Sequence, residues 1–121
     1  MELKIKVSGA VILTEELQTY IEKKVEKLAV FVKNDPTAII EVEAGTTSAG
    51  QRTGDVYRGE VHVTFAGGDA YAEAIHSTLH AALDKAITEA HREVRKKKSK
   101  NRDLVRNGAA QVKEFFRNFG K

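Results

Sequence analysis

The sequence predicts an α+β fold, a two-layer β-α-β-β-β-α sandwich in which a four-stranded sheet carries two helices on one face. Three observations lead there. Stretches of period-two alternation and stretches of helical periodicity follow in the order strand, helix, three strands, helix, each with one apolar face. The last three strands are joined by glycine-bearing polar connections that suit hairpins, whereas a whole helix separates the first two. With 121 residues and 41% hydrophobic content, the chain holds one ordinary core and not two.

The elements follow in order. Leu3, Ile5 and Val7 alternate with Glu2, Lys4, Lys6 and Ser8, which gives a first strand with one buried face. Thr14 caps a helix whose first turn carries Glu15 and Glu16, favourable at the positive end of the helix dipole. Leu17, Ile21, Val25, Leu28 and Phe31/Val32 continue its apolar stripe to about Lys33, where Asn34-Asp35-Pro36 ends it. A second strand is expected from about Thr37 to Ala44, and the small polar run Gly45 to Asp55 reads as a loop. Tyr57, Val61, Val63 and Phe65 alternate with Arg58, Glu60, His62 and Thr64 in a long third strand, with Gly59 taking the remaining inward position. Gly67-Gly68-Asp69 makes a turn into a fourth strand, Tyr71 to Ile75. A second helix starts near Ser77 or Thr78 and sets Leu79, Leu83, Ala86, Ile87, Ala90 and Val94 on one face. A right-handed crossover makes the first two strands parallel, and the later strands form an antiparallel meander.

The core pattern stops near Lys100, so residues 1–100 read as the domain and residues 101–121 as a basic and aromatic tail. Val112, Phe115, Phe116 and Phe119 lie at i, i+3, i+4 and i+7, on one side of a short helix. Two readings stand side by side: this cluster covers apolar surface of the domain, or it docks a protein partner.

Charge is distributed unevenly. Residues up to Ile75 hold 8 Lys/Arg against 12 Asp/Glu, and those from His76 hold 12 against 5, so a net +3 conceals a dipolar molecule. The run Arg92 to Arg106, REVRKKKSKNRDLVR, is its densest cationic block. Such a surface attracts phosphate backbones and gains affinity from counterion release, which makes nucleic acid the first partner to consider. The candidate RNA-binding residues are Lys23, Lys24, Lys27 and Lys33 on the first helix, and Lys85, Arg92, Arg95, Lys96, Lys97, Lys98, Lys100 and Arg102 on and after the second. On the first helix, Lys23 and Lys27 balancing Glu22 and Glu26 on a solvated face is an equal reading. Tyr57, Phe65 and Tyr71 are scattered, so backbone and shape recognition fits better than base stacking on the sheet.

Other chemistry finds little support. The chain has no Cys, which excludes disulfides, thiol nucleophiles and Cys-based zinc sites and agrees with a reducing cytosol. His76, His80 and Asp84 recur every fourth residue, a spacing that could gather metal ligands on a helix face but reads first as a partly exposed or packing histidine pair near the helix start. No HExxH, P-loop, GxSxG or dinucleotide fingerprint occurs, so an enzyme is not expected, nor a metal or cofactor, nor a small-molecule substrate. Glu41, Glu43 and Glu60 read as the polar side of half-exposed strands. No signal peptide, membrane span or membrane partner is visible, and a soluble cytoplasmic protein is expected.

Five segments in order carry a resemblance over about residues 1 to 100: LKIKVSG, KVEKLAVFVKN, RTGDVYRGEVHVTF, YAEA and HAALDKAITEAHREVRKKK. Together they resemble the ribosome hibernation promoting factor and ribosome-associated inhibitor A group, also called sigma-54 modulation proteins. The resemblance implies the same element order, in a fold similar to a double-stranded-RNA-binding domain (dsRBD-like). It also implies a non-enzymatic translation inhibitor that binds rRNA of the small ribosomal subunit near the decoding region and blocks the messenger and transfer RNA sites under stress. Arg92 matches a usual basic position of the last helix, and Arg95, Lys96, Lys97 and Lys98 match its basic end. Thr78 and His80 stand where family members usually show Asp and Tyr, and Glu89 where a basic residue is common. Residues 101–121 are too few for the separate C-terminal domain of long members, which implies a short form.

Overall fold

The computed structural model describes residues 1–47 and 56–119, with side chains described through residue 99. The strands are β1 (Glu2–Val7), β2 (Ile39–Thr46), β3 (Tyr57–Phe65) and β4 (Gly68–His76), and the helices α1 (Glu15–Lys24), α2 (Glu26–Ala29) and α3 (Leu79–Phe119). The sheet order is β1-β2-β3-β4, with β1 parallel to β2 and the other pairs antiparallel, as the crossover argument requires. The helices pack on one face of this mixed sheet, giving the α+β architecture expected.

Alternation decides which side of each strand is dry. Ile40, Val42 and Ala44 of β2, Val61, Val63 and Phe65 of β3, and Ala70, Ala72 and Ala74 of β4 are buried. They share one core with Leu17, Ile21, Val25, Leu28 and Val32 from the first helical segment and Leu83, Ala86, Ile87, Ala90 and Val94 from α3. Small residues let α3 lie close to the sheet. At Gly59, inward on β3 as predicted, an added Cβ would stand 2.8 Å from the Ala82 carbonyl oxygen and 2.9 Å from the Leu83 nitrogen.

Several boundaries differ from the sequence reading, each for a local reason. The first helix ends at Lys24, because Val25 takes φ −82° and ψ −5°, and only the single turn α2 follows. Beyond it the chain tightens: Phe31 N–H donates to the Leu28 carbonyl and Val32 N–H to the Ala29 carbonyl, both three residues back. That tightening divides the expected Phe31/Val32 pair, leaving Val32 buried and Phe31 37% exposed. Strand β2 starts at Ile39 because Asp35 holds the preceding turn, accepting from the Thr37 backbone and hydroxyl at 2.9 and 2.6 Å. The β3–β4 turn is Ala66-Gly67, with Gly67 at φ +94°, so Gly68 and Asp69 belong to β4 and pair with Phe65 and Thr64.

The start of α3 is capped by Thr78, whose hydroxyl accepts from the Ala81 N–H at 3.2 Å. Its backbone runs as one 41-residue helix past the expected boundary near Lys100. No proline interrupts that stretch, and the helical backbone tolerates Gly108 at modest cost. No helix among the described residues is long and apolar enough to cross a membrane.

Candidate nucleic-acid interface

The sequence placed cations on two helices, and the fold sets these helices edge to edge. Between them runs a groove of about 590 Å³ lined by Lys23, Lys24, Glu26, Lys27 and Leu28 on one wall and Asp84, Ile87, Thr88 and His91 on the other. Leu17, Ile21, Val25 and Leu28 anchor the first wall in the core, so the intervening Lys23, Lys24 and Lys27 face water. Asp84 and Thr88 also border a shallower cleft on the outer side of α3, where Lys85 and Arg92 stand with His76 and Glu89. Five predicted cations thus flank one ridge of α3.

The remaining candidates separate by position. Arg95 and Lys96 are exposed one turn further along α3. Lys97 donates to the Asp69 carbonyl at 2.6 Å, and Lys98 lies 5.6 Å from the Phe65 ring centre, so both reach the β3–β4 hairpin. Lys33 is exposed in the turn after α2 and does not line the groove. The side chains of Lys100 and Arg102, like those of Val112, Phe115, Phe116 and Phe119, lie outside the described residues.

One polar cluster joins the two walls. The Tyr20 hydroxyl donates to Asp84 Oδ1 at 2.5 Å, while the Lys24 ammonium stands 3.7 Å from the same oxygen and 5.5 Å from the Tyr20 ring centre. The Tyr20 ring also stacks on His80, with centroids 4.2 Å apart. Burial, then the hydrogen bond to Asp84 and its negative charge, push the Tyr20 phenol up to about 12. The spacing of His76, His80 and Asp84 alone allows a metal site. The fold gives them other partners: Asp84 holds Tyr20 and Lys24, His80 stacks, and His76 Nδ1 accepts from the Ser77 N–H at 2.9 Å. No group of three ligating side chains gathers among the described residues.

Two features escaped sequence reading. His91 packs against Phe31, ring centres 5.3 Å apart, and its Nε2 is buried without a hydrogen-bond partner among the described residues. Burial, with Arg95 and Lys27 nearby, holds its pKa below the usual histidine value. On the open face of the sheet, register aligns Glu43, Glu60 and Glu73 in one row across three strands. Arg58 ties them together: its guanidinium lies 3.3 Å from Glu43 and from Glu73 and bonds Glu60. Both arrangements join residues distant in sequence, so no local spacing signals them.

A family profile described as sigma 54 modulation protein / S30EA ribosomal protein matches residues 5–102. Among solved structures, the N-terminal domain of Protein Y from Thermus thermophilus is similar, with TM-score 0.65 and 21% identity over 79% of this chain and 98% of that one. A ribosomal subunit interface protein from Coxiella burnetii is similar with TM-score 0.60 and 14% identity, over 82% of this chain and 99% of that one. At these identities the structural likenesses establish the fold alone. No curated protein matches the chain.

Proposed function

The chain belongs to the sigma 54 modulation protein / S30EA ribosomal protein family, and from that premise we propose that it is a ribosome hibernation factor. It binds rRNA of the small subunit near the decoding region and, by lying there, keeps messenger and transfer RNA out. The observation that carries this reading is the cationic seam, where Lys23, Lys24 and Lys27 face an α3 ridge whose far side adds Lys85 and Arg92.

The chemistry required is occupancy. Ammonium and guanidinium groups spaced along two helix walls neutralise successive phosphates, and the released counterions supply the favourable free energy. No bond is made or broken, so neither nucleophile nor metal is needed, and the protein acts as a translation regulator in the cytoplasm. Residues 1–100 form the binding body. Arg95, Lys96 and Lys98 prolong the cationic row, and Lys100 and Arg102, which follow in sequence, are proposed as further contacts. Lys97 contributes less, since a backbone carbonyl already holds its ammonium.

The test is co-sedimentation with isolated small subunits across a salt series, comparing the native chain with Arg92, Arg95 and Lys96 all changed to Glu. Saturable binding and inhibition of translation are expected for the first and loss of both for the second. Each phosphate contact removed should flatten the log–log salt dependence by about 0.7 to 0.9. Undiminished binding of the triple variant at physiological salt would refute the assigned surface.

A further inference from the structure

We infer that the seam between α2 and α3 holds a stacking site for one unpaired RNA nucleotide, with Phe31 as its platform. This rests on the RNA-binding reading above and goes beyond it, because a phosphate track needs no aromatic ring.

The site is an apolar island between charged clefts, with Lys23, Lys24 and Lys27 on one side and Lys98 beside Asp35 on the other. Phe31 and its neighbour Val30 are 37% and 59% exposed, on the turn that tightens after α2. They sit between two clefts. His91, against which Phe31 packs, lines the groove of Lys23, Lys24 and Lys27, and Phe31 itself lines a second cleft of about 360 Å³ that contains Lys98. A polyanion following the seam from the lysines of the first wall to Lys98 therefore crosses exposed carbon midway. Exposed apolar surface offers nothing to a phosphate, whereas a base turned out of the strand covers it with its own π-face.

His91 supports the same occupant. Its ring meets Phe31 at 51° and braces the platform, while Phe31 remains 37% exposed. Its Nε2 is buried, so the ring serves the platform by packing and makes no polar contact with the stacked base. Flanking cations fit the phosphates on either side of the stacked base. The site accordingly prefers single-stranded or bulged RNA over duplex and is tolerant of base identity. The sequence pattern favours backbone recognition because Tyr57, Phe65 and Tyr71 are scattered over the strands, whereas Phe31 lies on the helix side.

The experiment uses the full chain with Phe31→Leu, which keeps apolar bulk without a π-face, and Phe31→Trp, which restores one. Probes are a short single-stranded RNA carrying 2-aminopurine and the same RNA in duplex, with small subunits as a third arm. The native chain should quench the single-stranded probe. Phe31→Leu should weaken that complex by about tenfold, with unchanged salt slope and unchanged duplex binding, and Phe31→Trp should recover it. Equal affinity of Phe31→Leu and native chain for the single strand, or an equal loss on both RNAs, would overturn the inference. Failure of the native chain to bind small subunits would instead count against the proposed function, and the oligonucleotide arms would still decide the stacking.

Discussion

Changing Gly59 to alanine should destabilise the fold by about 2 kcal/mol, although the substitution adds one methyl group and removes no contact. The new Cβ would meet the Ala82 carbonyl oxygen at 2.8 Å, the Ala82 carbonyl carbon at 2.9 Å and the Leu83 nitrogen at 2.9 Å. All three are backbone atoms in the first turn of α3, so no side-chain rotation relieves the clash. The helix must retreat by about 0.6 Å to reach ordinary contact distance. That retreat loosens Leu83 and Ala86 against the Ala70-Ala72-Ala74 strand, where close packing leaves little slack. For a body of about 100 residues, 2 kcal/mol corresponds to a fall in Tm of about 10 °C. Thermal unfolding followed by circular dichroism measures it, and the Tyr20 phenol should titrate closer to pH 10 as the partner Asp84 moves off with α3. An unchanged Tm would mean that α3 does not rest on Gly59, and the account of how the seam is positioned would fail with it.

Three other perturbations probe separate parts of the molecule. Asp35 is held down to about 2 by the Thr37 hydroxyl and by the Ala66 and Thr37 backbone N–H groups; because its folded value lies below the unfolded 3.8, its stabilisation is complete above pH 4 and lost as pH falls toward 2. The Tm gap between the native chain and Asp35→Asn should therefore close in acid, and a constant gap would refute the assignment. Tyr20 has the opposite sign: its folded pKa of about 12 exceeds 10, so its stabilisation is intact below pH 10 and lost through pH 12. Ultraviolet difference spectra should show a phenolate forming near pH 12 that Asp84→Asn brings earlier, while Tyr71, raised by burial and by Glu73, keeps its own late titration. Arg58→Met leaves Glu43, Glu60 and Glu73 aligned without a cation, which should cost about 2 kcal/mol at neutral pH. Urea titration of both chains measures the loss, and an unchanged midpoint would refute the tie between the three strands.

Legibility in the sequence followed the range of the interactions. Strand β3 was read to the residue, and the inward place of Gly59 with it, because alternation is a local consequence of the pleat. The Thr14 cap was read for the same reason: its hydroxyl accepts from the Leu17 N–H three residues away. The helix break at Val25 carries no proline or glycine, so propensity could not reveal it. The candidate cations were readable as a set, but their division was not. Whether a lysine lines the groove, as Lys27 does, or reaches a hairpin carbonyl, as Lys97 does, depends on how α3 crosses the sheet. Tyr20 and Asp84 are 64 residues apart, and Glu43 and Glu73 meet only through a correct three-strand register.

The row of carboxylates on the open sheet face gives the protein a sign on each side. On the proposed seating, with the helices against rRNA, the molecule would turn Glu43, Glu60 and Glu73 outward, with one guanidinium among three acids. An incoming messenger or transfer RNA would then meet a surface of its own charge. Occupancy excludes by volume alone, at contact; this face repels from about 10 Å at moderate salt, the reach of unscreened charge. A copy bound as proposed would in this sense be a reversible change of polarity laid over its binding surface, most effective where ionic strength is low.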